Sequence, residues 1–488
     1  MTGPIIDEKL AFRLAGVFNK RDGWMEDVRS NDDFDSRDRV ALKGQLLFEP
    51  TDTFSARLIV DWLDRDESCC PATFKIASPT GAALPALGGD TTEYRDHRVG
   101  TNHEAFEKIE DVVVALEMNW DLGFAELVSI TGIREFDVKR GQDVDFTNVD
   151  IYHEGNTVES FDNWSQELRL VGGTERFDWI VGGYVSGEDI KNQGRFLVLA
   201  SQGPAYFSLL LRNPAVANLL RDGDGLSARF NQEADSSAVY TNNTWHISDQ
   251  WDLNFGLRYT EEDKEGGPVI NETGTAGVAD NNWPCAQLPI ATFCNNAGYS
   301  GKRSEDNLSG TIKLSWLFHE DTSTYLSFAN GYKAGGFNLD PTAFKINPAG
   351  VITGDGREFE DETVESVELG LKSEWLDGTL MLNTALFFSK YEDFQLNTFT
   401  RAFFVVQNVP EVESKGIEVE YTWLVSEGIM LTGGVTYADS SYTDSTPIVN
   451  ATAAFGGPTN LEGRQLTNSP LWQGSTGLLI DQELAGDW

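Results

Sequence analysis

"ETVESVELGLKSEWLDGTLMLNTALFFSKYEDFQ" runs from Glu362 to Gln395, and its reading decides the fold. In the first half Val367, Leu369 and Leu371 alternate with Glu368, Gly370, Lys372 and Glu374. A period of two places the apolar set on one face of a β-strand and the polar set on the other. The run breaks at Leu376-Asp377-Gly378 and resumes as a second long strand from Gly378 to about Leu396. Two long, half-apolar strands joined by a tight turn make an antiparallel hairpin.

The same pattern fills the chain. In "QWDLNFGLRYTE" (Gln250–Glu261) Leu253, Phe255, Leu257 and Tyr259 share a face, opposite Asp252, Asn254, Gly256, Arg258 and Thr260. "TIKLSWLF" (Thr311–Phe318) sets Ile312, Leu314, Trp316 and Phe318 against Thr311, Lys313 and Ser315. "SKGIEVEYTW" (Ser414–Trp423) sets Ile417, Val419, Tyr421 and Trp423 against Gly416, Glu418, Glu420 and Thr422.

Connections between these runs are of two kinds, and the kinds alternate. Tight ones fall at 49–52, 119–121, 172–174, 247–249, 319–321, 376–378 and 425–427. Long polar ones span roughly 65–104, 139–160, 190–226, 265–302, 335–360, 398–411 and 442–468. Consecutive antiparallel hairpins turn at opposite ends, so one end is blunt and the other carries the long loops. Soluble strands average about 5–6 residues, and these are longer. The pattern predicts an all-β fold: a transmembrane antiparallel β-barrel with short periplasmic turns and long extracellular loops, in the bacterial cell outer membrane. Roughly 16 candidate strands are legible. Barrel closure would satisfy their backbone groups in lipid and remove the sheet edges. A soluble propeller or solenoid is the alternative, but the uneven connections and the lack of a repeated blade motif count against it.

Composition narrows the function classes. The 488 residues hold 77 Asp plus Glu against 37 Lys plus Arg, a formal net charge of -40. That balance argues against a nucleic-acid partner, because phosphate binding needs a positive footprint. The 13 Trp, 13 Tyr and 29 Phe are too much aromatic surface for a disordered chain. No apolar run reaches the roughly 18 residues of a spanning helix, a test that does not detect β-barrels. "MTGPIIDEKLAFRLAGVF" (Met1–Phe18) has no basic stretch ahead of an apolar core and does not read as a signal peptide.

Candidate site residues lie in the long connections. "RGQDVDFTNVDIYHEGN" offers Asp143, Asp145, Asp150, His153 and Glu154, and "RDGDG" offers Asp222 and Asp224. Such oxygen ligands suit calcium, though neither stretch has the EF-hand order, and solvated acidic loops are the competing reading. Cys285 and Cys294 bracket a short polar segment and read as a local disulfide stapling a loop, with free thiols as the other reading. The pairing of adjacent Cys69 and Cys70 stays open. "GPAYFSLLLRNPAVANLLRDG" (Gly203–Gly223) is the least strand-like part, a short helix inside a loop, broken at Pro214, that either packs over the mouth or touches ligand. "NGYKAGGFN" (Asn330–Asn338) lacks the order of a phosphate loop. It reads as the upper end of a strand, with Tyr332 at the interfacial aromatic girdle and Lys333 toward lumen or headgroups. Gly335 and Gly336 then release the chain into a loop, followed by Phe337 and Asn338, because glycine tolerates backbone angles closed to other residues. No spacing supports a catalytic triad or a paired-carboxylate mechanism, so no enzyme and no cofactor are expected.

Four stretches add a resemblance that periodicity alone does not carry. "YLSFANGYKAGGFN" (Tyr325–Asn338), the opening hairpin (Glu362–Gln395), "NVPEVESKGIEVEYTW" (Asn408–Trp423) and "LEGRQLTNSP" (Leu461–Pro470) resemble the barrel of TonB-dependent outer-membrane receptors. They are most similar to the iron-complex, or siderophore, receptor branch. "LAFRLAGVFNKRDGW" (Leu10–Trp24) is similar to an earlier strand of that barrel. The resemblance implies a complete fold of 22 strands, of which roughly 16 are present here, around a separate plug domain. It also implies energy-coupled uptake of a ferric siderophore or similar scarce nutrient. Its implied partners are outer-membrane lipid and a TonB-ExbB-ExbD complex acting through a missing N-terminal region. Against that pattern residues 1–488 read as a partial barrel, without plug, TonB box or final strands. A passive porin-like channel, uptake of a saccharide or cobalamin, and a surface adhesion role are the alternatives.

Overall fold

The computed structural model describes residues 1–29, 33–73, 81–89, 95–210, 212–273, 300–338, 344–346, 352–400, 403–444 and 460–481. Its main body is a 17-stranded sheet. In chain order the wall consists of β1 (Thr2–Ile6), β2 (Leu10–Arg21), β3 (Arg37–Thr51), β4 (Phe54–Ser68), β5 (Phe106–Asp121) and β6 (Glu126–Gln142). It continues with β7 (Gly155–Thr174), β8 (Phe177–Val198), β9 (Gly225–Ser248), β10 (Trp251–Thr273), β11 (Gly301–His319) and β12 (Thr322–Lys333). The last members are β13 (Glu362–Trp375), β14 (Leu380–Thr400), β15 (Phe403–Ser426), β16 (Ile429–Tyr442) and β17 (Trp472–Ile480). Each pairs antiparallel with its neighbours in sequence, an uninterrupted meander.

The expected count of roughly 16 strands out of 22 is corrected. The described residues form 24 strands, 17 of them in the wall. The rest are short strands within the loops, a three-stranded set of Asp33–Phe34, Met25–Asp27 and Arg98–Val99 and two pairs, one of them Gly336–Phe337 with Glu358–Phe359. These are too short to show a period of two, and β1 is only 5 residues long, so alternation could not count them. One expected loop is also strand: Phe394–Thr400 pair with Phe403–Val409, so β14 and β15 project as a hairpin where a long connection was expected at 398–411.

Register explains why the wall has one greasy face. Leu253, Leu314, Leu326, Leu369, Leu386, Ile417, Tyr437 and Trp472 are direct cross-strand partners in turn, an apolar row across β10 to β17. Direct partners on one face are the units that stabilise a sheet. Leu308, Ile312, Leu314, Trp316 and Phe318 are exposed on β11. At about 3.4 Å per residue and about 40° of tilt, that row is roughly 26 Å tall, close to the apolar band of an outer-membrane barrel. Trp251 stacks on Trp316 with ring centroids 5.2 Å apart beside the tight-turn end, where aromatic residues meet an interface. The longest strands, β9 and β15, have 24 residues each. They are far longer than the about 9–11 residues needed to cross and carry the wall well past the bilayer.

Candidate functional site

At the loop end, β12 and β13 stop at Lys333 and Glu362, while β10, β11, β14 and β15 continue beyond them. The notch is filled by a strap, of which residues 334–338, 344–346 and 352–361 are described, tied on both sides. On one side Gly335 donates its N–H to Glu305 (3.0 Å) and accepts from Lys264 Nζ (2.9 Å). Glu305 and Lys264 lie on the face opposite Leu308 and Leu257, so the strap crosses the inner face of β10 and β11. Arg303 braces the same point, pairing with Glu305 and with Glu360 (2.6 Å). On the other side the Asn338 carboxamide accepts from Val406 N–H (2.7 Å) and donates to the carbonyls of Val406 (2.8 Å) and Gly356 (2.9 Å). Gln395 Nε2 donates to Ala334 O (2.9 Å) and Glu360 O (3.1 Å), and Asn408 exchanges hydrogen bonds with the Glu360 backbone.

This placement changes the reading of the rim residues. Tyr332 is half-buried and its hydroxyl is turned toward Thr260, Glu262 and Glu305. Lys333 is exposed, whereas Gly335, Gly336, Phe337 and Asn338 are buried. Neither glycine has a positive φ. Their requirement is space: a Cβ on Gly335 would sit 2.6 Å from Phe359 O and 2.7 Å from Arg303 Nε, and one on Gly336 2.9 Å from Phe359 Cζ.

A second cap stands over β4 to β9. Ala83 and Leu84 from the β4–β5 loop, Val149 and Ile151 from the β6–β7 loop, and Leu199, Tyr206, Phe207, Val216 and Leu220 from the β8–β9 loop form one buried cluster. Two helices, α1 (Gly203–Leu210) and α2 (Val216–Leu219), supply much of it, so the stretch read as a loop helix packs against other loops. Loops with their own apolar core hold one shape, unlike solvated tethers.

The acidic candidates organise this cap. Asp143 is 1% exposed and accepts from the N–H groups of Asn102 (3.1 Å), Asp145 (3.2 Å) and Phe146 (3.2 Å). Asp145 accepts from Thr147 N–H (3.1 Å) and Oγ1 (2.6 Å) and from Tyr152 N–H (3.1 Å). Asp150 accepts from Asn102 Nδ2 (3.1 Å) and Ser201 N–H (3.2 Å). Asp224 caps Arg221 N–H (2.8 Å), and Asp222 meets His153 Nε2 (2.7 Å). Among the described residues no group of three or more His, Cys, Asp or Glu is arranged to hold a metal ion. Cys69 and Cys70 are bonded to each other, and Cys285 and Cys294 lie outside the described residues.

Burial, with the neighbouring Asp143 charge, pushes the Asp145 carboxyl up to about 7. A carboxyl raised on folding binds a proton that the unfolded chain has already released. The Asp145 contribution to cap stability is therefore greatest below about pH 4, falls as pH rises toward 7, and is lost above it. Hydrogen exchange at Thr147 and Tyr152, corrected for intrinsic rates, is expected to be slower at pH 5.5 than at pH 8. Asp145→Asn is expected to flatten that dependence; an unaltered slope in the variant would remove Asp145 as its source.

Sequence reading missed an ion-paired row on the inner wall. Arg39 on β3 pairs with Glu67 on β4, with Nη2 3.0 Å from Oε2. Arg65 on β4 bridges Glu67 (2.6 Å) and Glu107 on β5 (2.7 Å), and Arg140 on β6 closes the row on Glu107 (2.6 Å). All five lie within three residues of a loop-end strand terminus. Their face is opposite that of exposed Leu42, Val60 and Ile133. The signal was available as strand parity, but the pairing needs register, which composition does not give.

With this geometry in view, the comparisons with known proteins are specific about family. The family model described as "TonB dependent receptor-like, beta-barrel" matches residues 10–488, nearly the whole chain. The pesticin receptor of Yersinia pestis is 26% identical over 203 residues, 42% of this chain and 26% of that protein. The chain thus spans well under two thirds of that relative in the matched region. Among solved structures, the ferric yersiniabactin uptake receptor FyuA from Yersinia pestis superposes with a TM-score of 0.71 at 16% identity, covering 98% of this chain and 62% of that one. The siderophore receptor PiuA from Acinetobacter baumannii gives 0.68 at 17%, covering 97% and 66%. These likenesses extend the same fold over the chain, and the family match assigns it: this chain belongs to the TonB dependent receptor-like, beta-barrel family.

Proposed function

We propose that the chain forms the wall and mouth of a receptor that takes up a ferric siderophore or related iron chelate, energised by a TonB-ExbB-ExbD complex. The observation that carries this reading is the built mouth: loops with a buried core of their own and a strap tied by side-chain carboxamides. A mouth of fixed shape suits selective capture, because preorganised loops lose little freedom when a solute binds. The cargo class is supported by similar proteins, a ferric yersiniabactin uptake receptor and siderophore receptors among them. Titration of tryptophan fluorescence with iron-loaded chelates, cobalamin and oligosaccharides is expected to saturate with an iron chelate. Saturation with a non-iron ligand alone would sink the assignment, and a steady ohmic conductance in planar bilayers would favour a passive channel.

A further inference from the structure

We propose that Arg39, Arg65 and Arg140 form an anion-recognition row at the mouth, selecting chelates that carry anionic carboxylate or catecholate oxygens. The inference rests on the receptor reading above and deepens it. Depth is the first argument. The Glu67 and Glu107 side chains are 3% and 9% exposed, whereas Arg39, Arg65 and Arg140 keep 38%, 26% and 38%. The carboxylates sit behind and the guanidiniums in front.

Charge is the second. Elsewhere on the inner face Lys43 pairs with Asp61 alone (2.9 Å) and Arg134 with Asp111 alone (2.9 Å), while Arg303 has two carboxylates, Glu305 and Glu360, to itself. Here three guanidiniums share two carboxylates, leaving a local excess of positive charge in a chain of net charge -40. A brace alone has no need of that excess.

Geometry is the third. Arg39, Arg65 and Arg140 each commit Nε and Nη2 to carboxylates. Their Nη1 groups have no partner among the described residues. The planar heads are thus held in fixed orientation with donors to spare, the arrangement that makes arginine effective toward oxyanions. The row lies at the loop ends of β3 to β6, on the inner face of the wall.

The test is tryptophan-fluorescence titration of the purified chain with a trianionic ferric tricatecholate, a neutral ferric trihydroxamate and iron-free citrate. The tricatecholate is expected to bind at least about ten-fold tighter than the trihydroxamate, with an affinity that falls as salt is raised. The Arg39→Gln/Arg140→Gln pair is expected to weaken tricatecholate and citrate by about ten-fold or more while sparing the trihydroxamate. Heat-modifiable electrophoretic mobility reports that each variant is folded, and Arg39→Lys/Arg140→Lys serves if the glutamine pair is not. Equal binding of the two chelates overturns the row while leaving the iron-receptor reading in place. So does unchanged tricatecholate binding in a folded variant. Arginine-dependent citrate binding without binding of either chelate keeps the row and removes the iron reading. Failure of wild-type protein to bind either anion overturns the row.

Discussion

Replacing Asn338 with leucine is expected to free the strap from β15 while leaving the wall assembled. The Asn338 side chain works as a substitute strand, accepting from Val406 N–H and donating to the carbonyls of Val406 and Gly356. It is 4% exposed, so water does not stand ready to replace it. Leucine nearly matches the volume and offers no polar atom, which orphans those three backbone groups. A buried orphan costs about 1–3 kcal/mol, and neighbouring orphans do not add fully, so a local loss of roughly 3–5 kcal/mol follows. Amide exchange at Phe337 and Val406 is expected to accelerate by about 100-fold or more. Gln395 and Asn408 still hold the far part of the strap, and the cross-strand ladder of β14 and β15 does not involve Asn338, so amides near Leu386 and Ile417 should keep their protection. Asn338→Asp keeps the acceptor and loses both donors, and its exchange should fall between the two. Unchanged exchange at Val406 in the leucine variant would mean that other contacts hold the strap.

The membrane-facing half of this architecture was legible because lipid imposes a strict rule. Val367, Leu369, Leu386 and Ile417 alternate with polar residues since one face meets hydrocarbon and the other does not, and tertiary packing has little room to alter that. Tight turns such as Leu376-Asp377-Gly378 were legible for a local reason: all three have positive φ, and glycine eases such a turn. The mouth was not. Its contacts join residues distant in sequence, as Asn338 joins Val406, and no local pattern records them. Asp143, Asp145 and Asp150 drew attention as cation ligands by their spacing, yet their oxygens accept hydrogen bonds from nearby backbone and side-chain donors. The Gly335-Gly336 pair was read for its backbone freedom, whereas close approach of Phe359 rather than a left-handed backbone calls for glycine there. Strand number failed where strands leave the bilayer: beyond the apolar band the inside-outside contrast disappears, and with it the signal.

Gly416→Val is expected to prevent assembly of the wall. Gly416 lies in the middle of β15, paired with Phe387 on β14 and Ala438 on β16. Any Cβ there would fall on the Tyr437 carbonyl oxygen and come within 2.7 Å of Phe387 Cζ. A ring can rotate away, but a ladder carbonyl cannot move without breaking the β15–β16 pairing. Valine brings two further methyl groups to the same crowded place. Overpacking usually costs about 1–3 kcal/mol when side chains alone must yield, so a backbone clash should exceed about 4 kcal/mol. The penalty spreads because register is shared: displacing Ile417 from Leu386 and Tyr437 would carry the apolar row out of line with the lipid band. The variant is expected to lose heat-modifiable mobility after refolding in detergent. Gly183→Ala is the matched control, since its methyl meets nothing nearer than 3.8 Å, and it should fold normally. Adding Phe387→Ala to Gly416→Val discriminates between the two obstacles. It removes the ring and leaves the carbonyl, so it should not restore folding; recovery of the double variant would show that the ring, and not the strand ladder, requires glycine at this position.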